Sequence, residues 1–424
     1  MRKIITFLGA TLIKDREGNL VKTSYLHNGK IYPGSVFPEA LRQFTSYDKM
    51  LVFVTKKAKE ITWPLLEDLN DERIIPIDIP TGNTTAELWE LFGIILGQVE
   101  EGDCVIFDIT QGLRSTPFLM FLFASFLKIA RNVRIEAIYY GAFELGNPRE
   151  GIPAPVFDLS EFVEMLDWLT ATDRFITTGD GQALTALLRE KLPPGLQMGK
   201  DISARALGKD LRSAAEGIEK MSQALQMVRP FETMTSGLAV SRILARSEER
   251  ISETAPPFGA LVDQVNKSYG QFGLEAPMAP EAAFPNLMRQ LGMVGWYLAH
   301  QQAVQATLLM REWLISAFMA VNQAFPFDNR MQRKKVEKQF NDAARILFNF
   351  GEAGTAYFSS ALQALPEAGM VIKNWSKLSQ MRNDIAHCGH RFNAQSAASL
   401  ISDANSVYED LCQIANAVLG SIDH

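Results

Sequence analysis

The chain has 424 residues, of which 47% are hydrophobic and 21% are charged. This composition excludes a disordered or fibrous protein and is enough to bury roughly two or three cores. The formal net charge of −6 excludes a global basic field, so any site for a polyanion must be local. Three scattered cysteines, Cys104, Cys388 and Cys412, exclude a disulfide framework and favour a reducing compartment, for which we expect the cytoplasm.

The first part of the chain alternates short apolar runs with helix-compatible segments. The apolar runs are rich in β-branched residues and begin near residues 5, 51, 74, 104 and 135. Continuous runs of this kind are typical of parallel strands that are covered on both faces. Helical segments at 38–44, 56–69, 85–99 and 117–130 lie between them. This order predicts an open α/β sheet over residues 1–158, built by right-handed crossovers.

Beyond residue 158 the β signal fades, and Leu, Ala, Met, Gln and Glu recur at three- and four-residue intervals. We therefore predict an all-helical region, with a helical linker region at 159–285 and a final helical domain at 286–424. The final domain contains apolar-periodic segments at 288–324 and 402–419. The apolar segment 117–130 is shorter than the roughly 20 residues that a bilayer span requires, so we expect a fully buried helix there and no membrane.

Three loops at the carboxyl ends of predicted strands carry groups that suit a phosphate-bearing ligand. The first, around Gly9, has a small backbone that a ligand can approach closely. The second, PTGNTTAE at 80–87, places Thr84 and Glu87 at capping-box spacing and so exposes helix amides to an anion. The third, DITQGLRSTP at 108–117, combines glycine, arginine and hydroxyl groups ahead of a helix.

The three loops together predict a nucleotide-phosphate cradle at one edge of the sheet. Taken singly, each loop is more typical of an ordinary strand-to-helix turn in which Thr or Ser caps the helix and Gly bends the chain. Neither the Walker A spacing nor the GxGxxG spacing occurs in the sequence. Their absence argues against a triphosphate hydrolase or a dinucleotide enzyme of those classes.

A second cluster lies in MRNDIAH at 381–387, near the end of a helical stretch from about residue 373. Asn383 and His387 are four residues apart and share a helix face, and the long side chain of Arg382 reaches the same region. Gly389 is a natural helix terminator, which places His387 in the last turn. An imidazole that shuttles protons and a guanidinium that stabilises phosphoryl charge suit metal-free RNA cleavage, with the RNA 2'-hydroxyl as nucleophile. The alternative is a surface histidine that caps a helix.

Other polar groups in the final domain have weaker functional interpretations. The basic cluster RMQRKK at 330–335, with Lys338, could meet RNA phosphates, but most such runs are solvated helix faces. Arg311 and Glu312 interrupt an apolar stretch and predict a buried ion pair against a neighbouring helix. His390 has no accompanying set of carboxylates or cysteines with ligand spacing, so we predict no metal site.

The two ends of the chain together resemble the CARF-HEPN ribonucleases that accompany type III CRISPR systems. DITQGLRS at 108–115 looks like the Asp-x-Thr-x-Gly-x-Arg-Ser loop of their sensor domain. PTGNTTAELWELF at 80–92 is similar to their ligand loop and the helix after it. RNDIAH at 382–387 matches the Arg-Asn-x-x-x-His signature of the HEPN nuclease helix. Residues 160–285 carry no motif that we can place in this family.

The resemblance implies a Rossmann-like, CARF-like sensor domain followed by helices that end in a HEPN-like domain. It also implies a homodimer or higher oligomer, with no cofactor, whose activator is a cyclic oligoadenylate, with cyclic tetra-adenylate favoured. The substrate would be single-stranded RNA, and the products would have 2',3'-cyclic phosphate and 5'-hydroxyl ends. The implied catalytic residues, from both subunits, are Arg382, Asn383 and His387. The residues implied to face the activator are Gly9, Ala10, Thr11, Gly82, Asn83, Thr84, Thr110, Gln111, Gly112, Arg114 and Ser115.

The chain departs from this family's pattern at one place, since many relatives have His and Phe where it has Gln111 and Leu113. The leading hypothesis is a metal-independent endoribonuclease, activated by a cyclic oligoadenylate, that serves antiviral defence. One alternative is a non-catalytic signalling or transcription-regulating protein that binds the same messenger. Another is a phosphodiesterase that acts on the messenger in the first domain. His387 distinguishes the leading hypothesis from the regulator, because only a nuclease would lose RNA cleavage on its substitution.

Overall fold

The computed structural model describes residues 1–424 except 13, 15, 16, 18, 19, 112–115, 149, 196–200, 391 and 421–424. The described residues form two compact units, Met1–Asp167 and Trp168–His424. The first unit is an α/β domain and the second is helical, which confirms the predicted order of fold classes. The boundary between the units lies within the helix Ser160–Thr178, a little beyond the predicted boundary at residue 158.

An eight-stranded sheet forms the centre of the first unit. Its strands are β1 Arg2–Leu8, β2 Thr23–His27, β3 Lys30–Gly34, β4 Lys49–Val54, β5 Ile74–Asp78, β6 Cys104–Asp108, β7 Arg134–Gly141 and β8 Ala154–Asp158. Their order across the sheet is β3-β2-β8-β7-β6-β1-β4-β5. The strands from β7 to β5 are parallel to one another, β8 is antiparallel to β7, and β2 and β3 form an antiparallel hairpin.

Helices cover both faces of this sheet. They are α1 Phe37–Phe44, α2 Lys56–Ile61, α3 Pro64–Glu67, α4 Thr85–Gln98, α5 Thr116–Ala130 and the first part of α6 Ser160–Thr178. The core on one face contains Ile4 and Val52 with the helical residue Leu41, and the core on the other contains Ile5 with Phe123. Successive residues of a parallel strand thus enter opposite cores, which explains why these strands are continuous apolar runs in the sequence.

The five predicted strands are present as β1, β4, β5, β6 and β7. The predicted helix at 56–69 is divided into α2 and α3, because Pro64 cannot continue the hydrogen bonding of the first helix and begins the second. The prediction does not include β2, β3 and β8. The β2–β3 hairpin turns at Asn28 and Gly29, whose φ angles of 48° and 74° suit a type I′ turn. The Asn-Gly dipeptide was therefore an available signal for the hairpin.

Helix α5 occupies the segment that was expected to be a fully buried helix, and this expectation is wrong for one of its faces. Met120 and Leu127 lie on the side of α5 that faces the sheet, and both are buried in the core. Phe118, Leu122 and Ile129 lie on the other side and are 68%, 44% and 87% exposed. The segment is apolar on all sides, so its sequence has no polar face that would mark the exposed side of the helix. The sequence therefore could not show which positions contact the sheet.

The second unit is built from helices. The remainder of α6 is followed by α7 Gln182–Glu190, α8 Ile202–Gln226, α9 Pro230–Thr254, α10 Pro256–Gly259, α11 Val262–Tyr269, α12 Ala283–Ala299, α13 Ala303–Val321, α14 Arg330–Phe350, α15 Ser360–Gln363, α16 Ala368–Ala386 and α17 Ala397–Gly420. One hydrophobic core contains residues from Trp168 to Val418. The predicted linker region 159–285 and final domain 286–424 share this core, since the rings of Tyr269 and Trp296 lie 6.0 Å apart.

Helix α13 is long and apolar enough, by length and composition, to cross a membrane. Its side chains nevertheless pack inside the second unit, where Trp313, Leu314 and Met319 are buried. Arg311 of the same helix pairs with Glu337 of α14 at 2.9 Å, which confirms the predicted ion pair with a neighbouring helix, but the pair is half-buried and the expectation that it is buried is wrong. Its apolar character is therefore that of a core helix.

Candidate functional site

The order of the parallel strands creates a topological switch point between β1 and β6. After β1 the chain forms the β2–β3 hairpin at the far edge of the sheet, and α1 then leads to β4 and β5 on one side of β1 before the chain returns to β6 on the other side. Helix α1, which leads to β4, packs in the core on one face of the sheet, whereas α5, which follows β6, packs in the core on the other face. The change of face between β1 and β6 leaves a crevice at the carboxyl edge of the sheet. Gly9, Ala10 and Thr11 follow β1, while Thr110 and Gln111 follow β6. The structure therefore places two of the three predicted ligand loops side by side.

Asp108, the last residue of β6, lies at the base of this crevice. Its carboxylate is fully buried and accepts hydrogen bonds from the Thr6 hydroxyl at 2.5 Å and the Thr110 amide at 2.8 Å. Burial raises the pKa of Asp108 to about 6, while the two hydrogen bonds act in the opposite direction. The Thr110 hydroxyl is turned inward and accepts the Gly141 amide proton at 2.8 Å. This network joins β1, β6 and β7 beneath the two loops.

The space beside Gly9 is open, as the close approach of a ligand requires. A β-carbon added to Gly9 would meet no atom within 4 Å. The Gly9 carbonyl accepts a hydrogen bond from the buried Thr62 hydroxyl at 2.9 Å, which fixes the position of the loop. Ala10 is half-buried and Thr11 is exposed. The loop therefore combines an accessible backbone at Gly9 with an exposed threonine at the end of β1.

Gln111 has a side-chain oxygen that is shielded from solvent and accepts no hydrogen bond within the described part of the chain. An enclosed acceptor without a donor is unfavourable, so a donor group on a bound ligand would relieve that cost. The predicted ligand residues Gly112, Arg114 and Ser115, in the same loop, lie outside the described residues.

The third predicted loop follows β5, which lies three strands from β6, so about 14 Å separates their carboxyl ends. Thr84 caps α4, since its hydroxyl accepts the Glu87 amide proton at 3.2 Å, and the predicted capping interaction is confirmed. The Glu87 carboxylate turns back to accept the Asn83 amide proton at 3.0 Å, a bond that lowers the pKa of Glu87. A carboxylate therefore already lies at this helix start. The loop of Gly82, Asn83 and Thr84 offers an anion fewer amides than the sequence indicated.

In the second unit, α16 ends in a double turn that positions the other predicted residues. The Gly389 amide donates to the Asp384 carbonyl at 3.2 Å, and the Cys388 amide donates to the Ile385 carbonyl at 3.0 Å. These two bonds form a Schellman motif, which leaves His387 as the residue that caps the helix. The sequence indicated Gly389 as the terminator, but Cys388 is the first residue with a left-handed backbone, at φ 51°, and Gly389 follows at φ 71°.

Arg382, Asn383 and His387 lie together on the surface near this end of α16. Arg382 and His387 are exposed, and Asn383 is half-buried. The Arg382 guanidinium donates to the Asn383 side-chain oxygen at 3.3 Å. Within the described residues, neither Arg382 nor His387 has an ion-pair partner, so both heads are available to a ligand. The described residues also contain no group of three or more His, Cys, Asp or Glu side chains suited to a metal.

Asp384, which the sequence analysis did not single out, supports this end of the helix. Its side chain is buried, and a carboxylate oxygen accepts the Gln395 amide proton at 3.2 Å, which folds the following loop back onto α16. The Gln395 side chain donates to Asp403 of α17 at 2.9 Å, and Lys377 pairs with the same carboxylate at 2.8 Å. A signal for this role was present in the sequence. Asp384 follows the apolar Met381 by three residues and so lies on the same face of the helix, where a buried carboxylate needs hydrogen-bond donors.

Comparisons with known proteins found a family model, a curated relative and a solved structure that are similar to this chain. Residues 164–274 match the family model described as "CRISPR-associated protein MJ1674, second domain". The chain is 34% identical over 108 residues to CRISPR-associated protein MJ1674 of Methanocaldococcus jannaschii, a match that covers 25% of this chain and 17% of that protein. Among solved structures, Enterococcus italicus Csm6 bound to cyclic hexa-2'-fluoro-hexa-dAMP aligns over 99% of this chain and 94% of its own, with TM-score 0.45 and 9% identity.

The two sequence matches confirm the predicted relationship to CRISPR-associated proteins. The family-model match lies in residues 164–274, a segment in which no motif of the predicted family could be placed. The sequence motifs at the two ends of the chain and the matched segment in the middle are therefore independent observations.

Proposed function

We propose that this CRISPR-associated chain is an endoribonuclease that is activated by a cyclic oligoadenylate and cleaves single-stranded RNA in antiviral defence, in the cytoplasm and as a homodimer. The proposal depends on one observation. Arg382 and His387, in the Arg-Asn-x-x-x-His order, are exposed at the end of α16 and have no ion-pair partner among the described residues. The match of residues 164–274 to a CRISPR-associated domain supports the biological setting.

The chemistry of these side chains suits cleavage by the RNA itself. The His387 imidazole would take the proton of a 2'-hydroxyl, whose oxygen then attacks the adjacent phosphorus and expels the 5'-oxygen of the next nucleotide. A protonated imidazole would return a proton to that leaving oxygen. The Arg382 guanidinium would stabilise the charge that develops on the phosphoryl oxygens. No step requires a metal, and the products carry 2',3'-cyclic phosphate and 5'-hydroxyl ends.

The crevice between β1 and β6 is the proposed site of the activator. The open space beside Gly9 suits close contact with a phosphate or sugar, and the enclosed oxygen of Gln111 suits a donor such as an adenine amino group. The loop at 82–84 lies about 14 Å away, so a ligand that reached both regions would have to span several nucleotides. A cyclic oligoadenylate meets that requirement, whereas a mononucleotide does not.

A second copy of the chain would complete the nuclease site. Each copy supplies one His387, whereas the reaction needs one group to take a proton and another to return it. The exposed side of α5, with Phe118, Leu122 and Ile129, supports self-association, because a patch of large apolar side chains is unfavourable in water. A two-fold interface would bury the same patch on both copies.

A fluorogenic single-stranded RNA assay with cyclic adenylates of three to six units tests the proposal on the full chain. We expect one ring size to start cleavage, and we expect His387→Ala and Arg382→Ala each to lower the rate by at least about 100-fold. His390→Ala is the matched control, since it removes an exposed imidazole from the same loop and should keep the activity. Cleavage should persist in EDTA.

Several outcomes would overturn the proposal. Unchanged messenger-dependent cleavage in His387→Ala would separate the activity from this motif. Absence of cleavage with every ring, together with messenger binding, would instead favour a non-catalytic regulator. Conversion of the ring to linear products without RNA cleavage would favour a phosphodiesterase in the first unit.

A further inference from the structure

One face of α14 carries a row of cations that ends in an exposed aromatic ring. Its members recur at intervals of four, four, three, four and three residues, so they lie along a single side of the helix. We call this row the α14 stripe, and it consists of Arg330, Lys334, Lys338, Asn341, Arg345 and Phe348. Its charged members are exposed, and Phe348 is 91% exposed. The stripe is about 27 Å long at 1.5 Å per residue.

The cations of the stripe differ in pairing from those on the inner side of α14. Arg333, on the inner side, binds Glu312 at 2.7 Å. Within the described residues, Arg330, Lys334 and Lys338 have no carboxylate partner, and Arg345 has only the exposed Asp342 at 3.4 Å. Unpaired positive charge concentrated here is unexpected in a chain of net charge −6.

The position of these charges within the helix also opposes local stability. The first turn of α14 contains no acidic residue, and its first six positions include four basic residues. The positive end of the helix dipole repels cations at a helix start. These cations therefore destabilise the isolated helix. A role in binding a ligand, rather than in stabilising the fold, would explain why they are there.

The α14 stripe lies beside the proposed nuclease helix. Asn341 accepts a hydrogen bond from the Trp375 indole of α16 at 2.9 Å, and the ring of Phe340 meets Trp375 edge-on. Leu347 of α14 lines a groove with Met370 of α16, nearer the start of that helix. The residue numbers thus rise along one helix as they fall along the other, so the two helices are antiparallel.

Helical geometry then relates the stripe to the nuclease motif. Arg382 follows Trp375 by seven residues, which is about 10 Å along α16 and close to two full turns, so it lies on the same side of the helix. Lys334 precedes Asn341 by the same number of residues along the antiparallel α14. Lys334 is therefore level with Arg382, and the stripe extends from there toward Phe348.

We propose that the α14 stripe binds the phosphate backbone of single-stranded RNA, with a base stacked on Phe348, and leads the strand to Arg382. The inference rests on the proposed function and adds to it the path of the substrate. Regularly spaced cations with an exposed aromatic ring suit a single strand, because its phosphates repeat and its bases are free to stack. An acidic protein would use the charges but would leave the ring without a flat partner.

Fluorescence anisotropy with a labelled single-stranded RNA tests the proposal on the full chain carrying His387→Ala, which prevents turnover. We expect Lys334→Ala with Lys338→Ala to weaken binding and to reduce the slope of log affinity against log salt by about 1.4, the value for two lost phosphate contacts. Phe348→Ala should weaken binding at least about fivefold without changing that slope. The matched control is Lys209→Ala with Lys220→Ala, which removes two exposed lysines of α8 that have no carboxylate partner in the part of the chain that the structure describes, and it should change neither quantity.

The result that overturns the inference is an equal effect of the two double variants on RNA affinity and salt slope. Competition by polyglutamate that is as strong as competition by unlabelled RNA would also overturn it, since it would indicate an acidic protein partner. If the wild-type chain cleaves RNA while the stripe variants bind normally, the substrate path fails but the proposed function remains. If His387→Ala still cleaves RNA, the proposed function fails while the binding measurement stays interpretable.

Discussion

Replacement of Asp108 by Asn should remove a pH-dependent loss of stability from the first unit. Asp108 is fully buried, and its carboxylate accepts hydrogen bonds from the Thr6 hydroxyl and the Thr110 amide. Asn has nearly the same shape and keeps an oxygen for the Thr110 amide, while its own amide can donate to the Thr6 hydroxyl oxygen. The substitution therefore removes the ionisation of the side chain with little change in packing.

The magnitude follows from the two protonation states. Burial raises the pKa of Asp108 from 3.8 to about 6 in the folded chain, so between these pH values the folded state holds a proton that the unfolded state has released. The free energy of unfolding of the wild type must then fall as pH rises through this window. At about 1.4 kcal/mol per pH unit the loss is about 3 kcal/mol, and it is complete near pH 7. The Asn variant lacks this loss.

Urea unfolding of the wild type and Asp108→Asn between pH 4 and pH 7.5 measures the effect. The variant should gain stability relative to the wild type as pH rises, mainly between pH 4 and pH 6. Asp71→Asn is the control, because hydrogen bonds from Arg73 and Tyr47 lower the pKa of Asp71 below its ordinary value of 3.8, so its contribution is lost only as pH falls below about 4 and its difference in unfolding free energy from the wild type should be nearly constant from pH 4 to pH 7.5. The reasoning would be refuted if the difference in free energy of unfolding between the wild type and Asp108→Asn stayed constant from pH 4 to pH 7.

Three further substitutions test other parts of the structure. Asp384→Ala should lower the proposed RNA cleavage strongly while lowering the melting temperature only slightly, because it frees the Gln395 amide and the loop beside the RNDIAH motif. Ile129→Glu should convert the proposed dimer to a monomer in light scattering without unfolding the chain, since this side chain is 87% exposed. Gly141→Ala should destabilise the first unit by about 1–3 kcal/mol in urea unfolding, because its β-carbon would lie 2.6 Å from the Phe37 ring.

Each of these substitutions has a matched control. Asp384→Asn keeps an acceptor oxygen for the loop amide and should retain most of the activity that the Ala variant loses. Ile31→Glu changes another exposed isoleucine of the first unit, on β3, and should leave the molecular mass measured by light scattering unchanged. Gly9→Ala adds a β-carbon where no atom lies within 4 Å, so equal destabilisation by Gly9→Ala and Gly141→Ala would contradict the packing argument.

The parallel core of the first unit was predictable because its strands are buried on both faces. Ile4 and Ile5, adjacent in β1, enter different cores, and this leaves a continuous apolar run that can be recognised without any neighbour. The peripheral strands β2, β3 and β8 lack such runs. Their pairing depends on partners that are distant in the chain, since β2 pairs with β8 across more than a hundred residues.

Local signals also predicted the ends of two helices. The Thr84 hydroxyl caps α4 because the capping pair lies within one turn, and α16 ends where Gly389 indicated, with Cys388 taking the first left-handed position. The direction in which a side chain points was harder to predict from the sequence. The Thr110 hydroxyl binds the Gly141 amide of the neighbouring strand, and no sequence spacing reveals that the acceptor faces inward.

The sequence by itself determined the kinds of elements, the order of the two units and the placement of the RNDIAH motif at a helix end, because each depends on residues within a few turns of one another. The tertiary structure alone decided which strands flank the switch point, which side of α5 is exposed and that α14 packs against α16 through Asn341 and Trp375. These features arise where segments far apart in the chain pack together. Packing of that kind is set by the shapes of many side chains at once, so no short stretch of sequence encodes it.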